Sequence, residues 1–194
     1  MTGYTFAYDP ELWIAVPLDF APTEWADADA WADDVSRQIS AGAPDPESVR
    51  PAFYETALEV AALDTPGAAD RFWYFPVDAR FVSVVNGYAV PRDVIEGEAT
   101  LEQFAGSDDE SITVPSIESF DSAVFGRLVL GLTTTAFQDD DDQRVVVGQA
   151  RLVGETAGHI FLFEVLDREL GRIALMLEDM TTLMESVRFS ADEG

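Results

Sequence analysis

Apolar positions change their period several times along this chain. Residues 4–8 and 12–17 are short apolar runs parted by Pro10, and they predict two short strands. From residue 23 to 40 the period becomes helical. Trp25, Ala28, Trp31, Ala32, Val35 and Ile39 fall, at about 100° per residue, within an arc of roughly 120°, the stripe of a core-facing helix. Asp27, Asp29, Asp33 and Asp34 lie outside that arc, and Ala41-Gly42 with Pro44-Asp45-Pro46 ends it. A second helix is predicted over 49–63. Ser48 is its N-cap, Pro51 sits in the first turn where no internal N–H bond is lost, and Tyr54, Ala57, Leu58 and Ala61 form its apolar face. Residues 71–77 and 80–90 read as strands, and 101–106 as a short helix.

The second half reads as a meander closed by a helix. Residues 112–120 are extended but broken by Pro115, which suits an edge or a bend. Residues 123–137 form a long strand, 138–143 a polar turn, and 144–154 with 159–166 a hairpin around 155–158. Phe161, Phe163 and Val165 occupy one parity, and Ile160, Leu162 and Leu166 the other. Apolar side chains on both parities mean a sheet covered on both faces. The last helix, 169–185, places Leu170, Ile173, Ala174, Leu177, Met180, Thr181 and Met184 on one face, and 187–189 adds a short strand. The expected fold is α+β in one domain over 1–194. It is an antiparallel sheet of five or more strands flanked by helices on both faces, an α/β/α sandwich.

That order carries a resemblance. A strand pair ending in Trp13-Ile14-Ala15-Val16-Pro17, a helix, a curved antiparallel meander and a closing helix running into Glu185-Ser186-Val187-Arg188-Phe189 resemble the PsbP-like α/β/α sandwich family. The resemblance covers most of the chain in outline. It implies a non-enzymatic binding module, lipoprotein, assembly factor or effector chaperone. It carries over no catalytic residue.

Composition narrows the function classes. Eleven basic residues, all Arg, stand against 37 acidic ones, a net charge of −26. Direct nucleic-acid binding needs clustered Lys and Arg and is excluded on this balance, as is an anionic membrane surface. The lack of Cys removes disulfides, thiolate metal sites and Cys nucleophiles. The first ten residues have no basic region followed by an apolar run, and no stretch of about 18 apolar residues exists. The expectation is a cytoplasmic protein without membrane insertion, and the Arg-only, Ala- and Asp-rich usage suits a GC-rich genome.

Candidate chemistry is sparse. The acidic run Asp139, Asp140, Asp141, Asp142 fails as a calcium loop, because positions six and twelve counted from Asp139 hold Arg144 and Ala150 rather than Gly and Glu. A solvated turn that binds no divalent cation is expected there. His159 stands alone, without a second His or a Cys to complete a zinc site. With 155–158 as the hairpin loop, Gly154 faces His159 and Gln149 faces Glu164, with Arg151 diagonal to it on the same face. That arrangement reads as a cross-strand ion pair, with a functional carboxylate as the sharper alternative. Neither a G-x-S-x-G elbow nor a phosphate-binding glycine loop occurs. No catalytic residue, metal ligand or cofactor is assigned.

The expected function is recognition of a protein partner, basic in charge, through an apolar patch with an acidic rim. Trp73, Tyr74 and Phe75 on one strand and Met176 and Met180 on the closing helix read first as core packing, and they are the candidate anchors if packing leaves them exposed. An acidic neutraliser of a basic toxin and a carboxylate-based enzyme are the alternatives.

Overall fold

The computed structural model describes residues 3–75, 83–95, 97–106, 111–138 and 143–190. Among these, β1 (Tyr4–Phe6) and β9 (Val187–Phe189) form a two-stranded antiparallel ribbon. The main sheet has seven strands in the order β2-β3-β4-β8-β7-β6-β5, every neighbour antiparallel. Its strands are β2 (Trp13–Ala15), β3 (Asp70–Tyr74), β4 (Ser83–Pro91), β5 (Ser116–Ser122), β6 (Gly126–Gln138), β7 (Arg144–Thr156) and β8 (His159–Asp167). The helices are α1 (Ala28–Ser40), α2 (Pro46–Ala61), α3 (Leu101–Ala105) and α4 (Leu170–Glu185). The chain is therefore α+β.

Strand parity sorts the apolar residues into separate clusters. Phe72, Tyr74, Val85, Leu128, Leu130, Leu152, Phe161 and Phe163 share one face, which we call face A. They pack with Ile173, Met176, Met180 and Met184 of α4 and with Tyr4 and Phe6 of β1. Trp73 has the opposite parity, on face B. It packs with Trp31, Ala32 and Val35 of α1 and Ala57 and Val60 of α2. Val129, Val153 and Ile160, also on face B, pack with Ala105 of α3. Two glycines let helices come close. A Cβ at Gly131 would stand 1.8 Å from the Ala105 carbonyl, and one at Gly148 would stand 2.2 Å from a Leu170 methyl.

Several boundaries differ from the sequence expectation, each for a local reason. The first helix starts at Ala28, not 23, because Asp27 accepts from the Ala30 N–H and caps it there. The second starts at Pro46, with Asp45 rather than Ser48 as its cap, and ends at Ala61. Thr100 and Gln103 form a reciprocal capping box on α3. Residues 112–115 precede β5 rather than belonging to it, and 123–125 are a turn leading into Gly126 at φ 71. The β7–β8 hairpin has a two-residue loop, Ala157 at φ 48 and Gly158 at φ 73, the left-handed pair that a tight turn of this kind needs. The pairing is therefore two residues out from the expected register. An even shift keeps every side chain on its face but changes its partner, so Arg151, not Gln149, lies opposite Glu164. The acidic run 139–142 and residues 76–82 lie outside the described residues.

Candidate functional site

Packing removes most of the expected anchors from the surface. Trp73, Met176 and Met180 have no exposed area, and Tyr74 is buried with its hydroxyl donating to Asp179 at 2.6 Å. Phe75 is half-buried against the rings of Trp73 and Phe53. The first four are core residues, so a partner-contact role for them gives way to packing of the sheet against its helices. His159 sits half-buried at the hairpin rim, with Nδ1 3.1 Å from the Ala157 carbonyl.

A polar row across face B has a structural explanation. Arg71, Asn86, Glu164 and Arg151 stand in direct register on four adjacent strands. Arg71 is buried and forms no salt bridge among the described residues, although the Asp64 charge acts on it. Its guanidinium donates to the Val60 and Leu63 carbonyls, to Thr65 and to Asn86, at 2.8–3.0 Å. It thus satisfies the orphan carbonyls at the C-terminus of α2, where the helix dipole also favours a cation. Burial lowers its pKa, although an arginine keeps its charge throughout the working range. Arg151 repeats the device at α3, donating to the Gly106 carbonyl at 3.1 Å and to Glu164 Oε1 at 2.8 Å. Gln149 also donates to that oxygen at 2.8 Å. Burial, followed by the Glu164 charge, pushes the Tyr88 hydroxyl up. Glu164 is held by groups that fasten α3 to the sheet. No group of three or more His, Cys, Asp or Glu suited to a metal ion occurs among the described residues.

An exposed apolar surface of concave shape lies on face A beside α4. A groove of about 300 Å³ runs between that helix and the β5–β6 side of the sheet, lined among others by Val114, Leu132, Leu170, Ala174 and Leu177. Val114 is 92% exposed and Leu170 54%. Helix geometry explains why these side chains are left over. At about 100° per residue, Ile173, Met176, Met180, Leu183 and Met184 span an arc of roughly 100°, the width that burial on one face uses, and all five are buried. Leu170, Ala174 and Leu177 extend the same stripe sideways over nearly another quarter turn. They flank the core instead of entering it. The lining residues are uncharged; Glu169 precedes Leu170 and Glu178 follows Leu177 in sequence, and Glu118 shares face A of β5 with Ser116.

The strand beside this groove is the outer edge of the sheet. Six of the seven β5 residues are exposed. The direction of its backbone groups follows from β6. Ile112 N–H donates to the Thr134 carbonyl at 2.8 Å, so even-numbered β6 residues turn their backbone polar groups to the β5 side. Their partners Ser116, Glu118, Phe120 and Ser122 turn inward to meet them. Ile117, Ser119 and Asp121 accordingly direct their N–H and C=O groups outward. Among the described residues no backbone group pairs with them.

Sequence reasoning missed both features. The signal for the groove was present as the excess width of the α4 stripe. The open edge had a weaker one, in a strand with only Ile117 and Phe120 as large apolar residues, one per face. Compared with known proteins, the chain matches no family model and no curated sequence.

Proposed function

We propose that this protein is a non-enzymatic binding module. It recognises a protein partner through the α4–β6 groove, whose rim is acidic. The observation that carries this reading is the groove itself: Val114 and Leu170 present apolar surface at a concave site, with Glu169 and Glu178 next to its lining residues in sequence and Glu118 on the same face of β5 as Ser116. Exposed ion pairs add little lasting affinity, so apolar anchors supply the stability of the complex and charge supplies the speed of encounter. In this reading the helices on the two faces of the sheet make a PsbP-like sandwich, and the module works in the cytoplasm. No helix among the described residues is long and apolar enough to cross a membrane.

The test is affinity capture from the source cells with a wash at about 0.5 M salt, which screens surface charge. Wild type is compared with the double variant Val114→Asp, Leu170→Asp. A partner retained by wild type and lost by the variant is expected. Equal retention by both proteins would remove the groove from the function, and loss of every partner in the salt wash would favour charge masking of a basic toxin.

A further inference from the structure

We propose that the occupant of this site is an extended cationic segment of the partner, which adds to β5 as an eighth strand and turns alternate side chains toward the groove. The proposal rests on the reading of the groove as a partner site, and it specifies how that site is filled.

The outward N–H and C=O groups of Ile117, Ser119 and Asp121 recur at every second residue, the spacing at which a new strand forms a ladder. The edge has no proline within the strand and no residue opposite an unmatched pair, so Ser116 to Ser122 pair with Leu132 to Gly126 without interruption. Natural edges of this length are usually covered or broken. Ser116 lines the groove, so ladder and groove are continuous.

Charge decides what the added strand is. Glu118 lies on face A and Asp121 on face B, where it stands opposite Arg127, itself paired with Glu102. β5 contains no basic residue. In no register could the β5 of a second copy place a cation beside either acid, and each copy would bring a net charge of −26. The acids thus work against self-pairing and favour a cationic strand; one that turns its apolar residues to the groove on face A presents its cations on face B, where Asp121 lies.

The probe is a labelled decapeptide of alternating lysine and valine, titrated against the full chain at physiological salt and again at about 0.5 M salt, where surface attraction is screened. A second version carries N-methyl groups on alternate backbone amides, which keeps charge and side chains but removes the donors of one edge. Ser119→Pro removes a donor from the protein side, at a place where an edge tolerates proline. Strand addition predicts binding that weakens but persists in high salt, and a loss of about tenfold or more for the N-methylated peptide and for Ser119→Pro. Unchanged affinity in both cases would overturn it. If the Val114→Asp, Leu170→Asp protein nevertheless loses the peptide, the groove reading survives that failure. If the groove variant is also unaffected, both readings fall. Failure of the parent peptide to bind overturns strand addition, and the capture experiment on wild type then decides the groove reading alone. Because the N-methylated peptide is tested on the wild-type protein, poor folding of a variant cannot mask the answer.

Discussion

The seven-stranded sheet ends in two unlike ways. At one end β2 is three residues long, and its pairing with β3 is extended by Val16 N–H to the Arg71 carbonyl and Phe75 N–H to the Leu12 carbonyl. Beside it Trp73 fills the space under α1 and α2. Those helices are tied to each other by Arg50 with Asp33 and by the Tyr54 hydroxyl donating to Asp29. At the other end β5 is seven residues long, exposed, and beside a groove on face A. The difference lies in what each strand offers a cover. Three successive aromatic residues, Phe72, Trp73 and Tyr74, supply apolar area to both faces. Ser116 to Ser122 supply one large apolar residue per face, too little to repay the entropy of ordering another layer. One end of the sheet is committed to folding and the other remains available for contact.

Single truncations should separate the two ends most sharply. Trp73→Ala, which empties a fully buried site, is expected to cost about 3–5 kcal/mol in urea unfolding. Val114→Ala, at the open end, should stay within about 0.5 kcal/mol of wild type. Similar costs would mean that Val114 belongs to the core and that the groove is part of the fold's support.

The closed end was the more legible in the sequence, because its signals are strong and local. The α1 stripe of Trp31, Ala32 and Val35 reads directly as a buried face, and those residues are buried. The order of strands and helices followed from punctuation by Pro, Gly and Asp. Hairpin register did not follow, because Glu155-Thr156-Ala157-Gly158 fits a four-residue loop as well as a two-residue one. Only the positive φ at Ala157 separates them. The condition set for the anchors, exposure, fails for Trp73, Tyr74, Met176 and Met180, where the core reading holds. Aromatic and Met residues mark a partner surface only when the core does not use them first, and here it uses Trp73, Met176 and Met180. The groove arises from a mismatch: α4 has a wider apolar stripe than one face of the sheet can cover. The width of that stripe, beyond the arc that one face buries, is the signal that points to Leu170 and Leu177.

A smaller effect distinguishes the covered region by pH. Asp70, at the start of β3, accepts from the Tyr4 hydroxyl at 2.8 Å beneath the β1–β9 ribbon. Burial raises its pKa above 3.8, and the Tyr4 hydrogen bond only partly opposes this. A carboxyl raised in the fold favours the folded state while protonated, and that contribution is lost as pH rises through the raised value. Asp70→Asn keeps an acceptor for Tyr4 without the charge. It should be more stable than wild type at neutral pH, by an amount that shrinks as pH falls through the raised value and disappears below the ordinary value of 3.8. Urea midpoints across that range check the sign, and a gain that grows toward acid would contradict it.

The smallest effects test the open edge itself, through two prolines one residue apart. Glu118 pairs with Leu130, an even β6 residue, so its N–H points into the sheet and donates to that strand. Ser119 pairs with Val129, and its N–H points outward. Both side chains are exposed, so neither substitution disturbs the core. Both prolines impose the same φ on the same strand, so that cost cancels in the comparison. What remains is one ladder bond, lost only in Glu118→Pro. The expected difference is about 1 kcal/mol, with Ser119→Pro the more stable protein in urea unfolding. The removal of the Glu118 charge works slightly the other way in so acidic a chain, which makes an observed penalty more telling. If Ser119→Pro proves the worse of the two, the outward groups belong to Glu118 and Phe120 instead, and a partner strand would have to present its side chains in the opposite alternation.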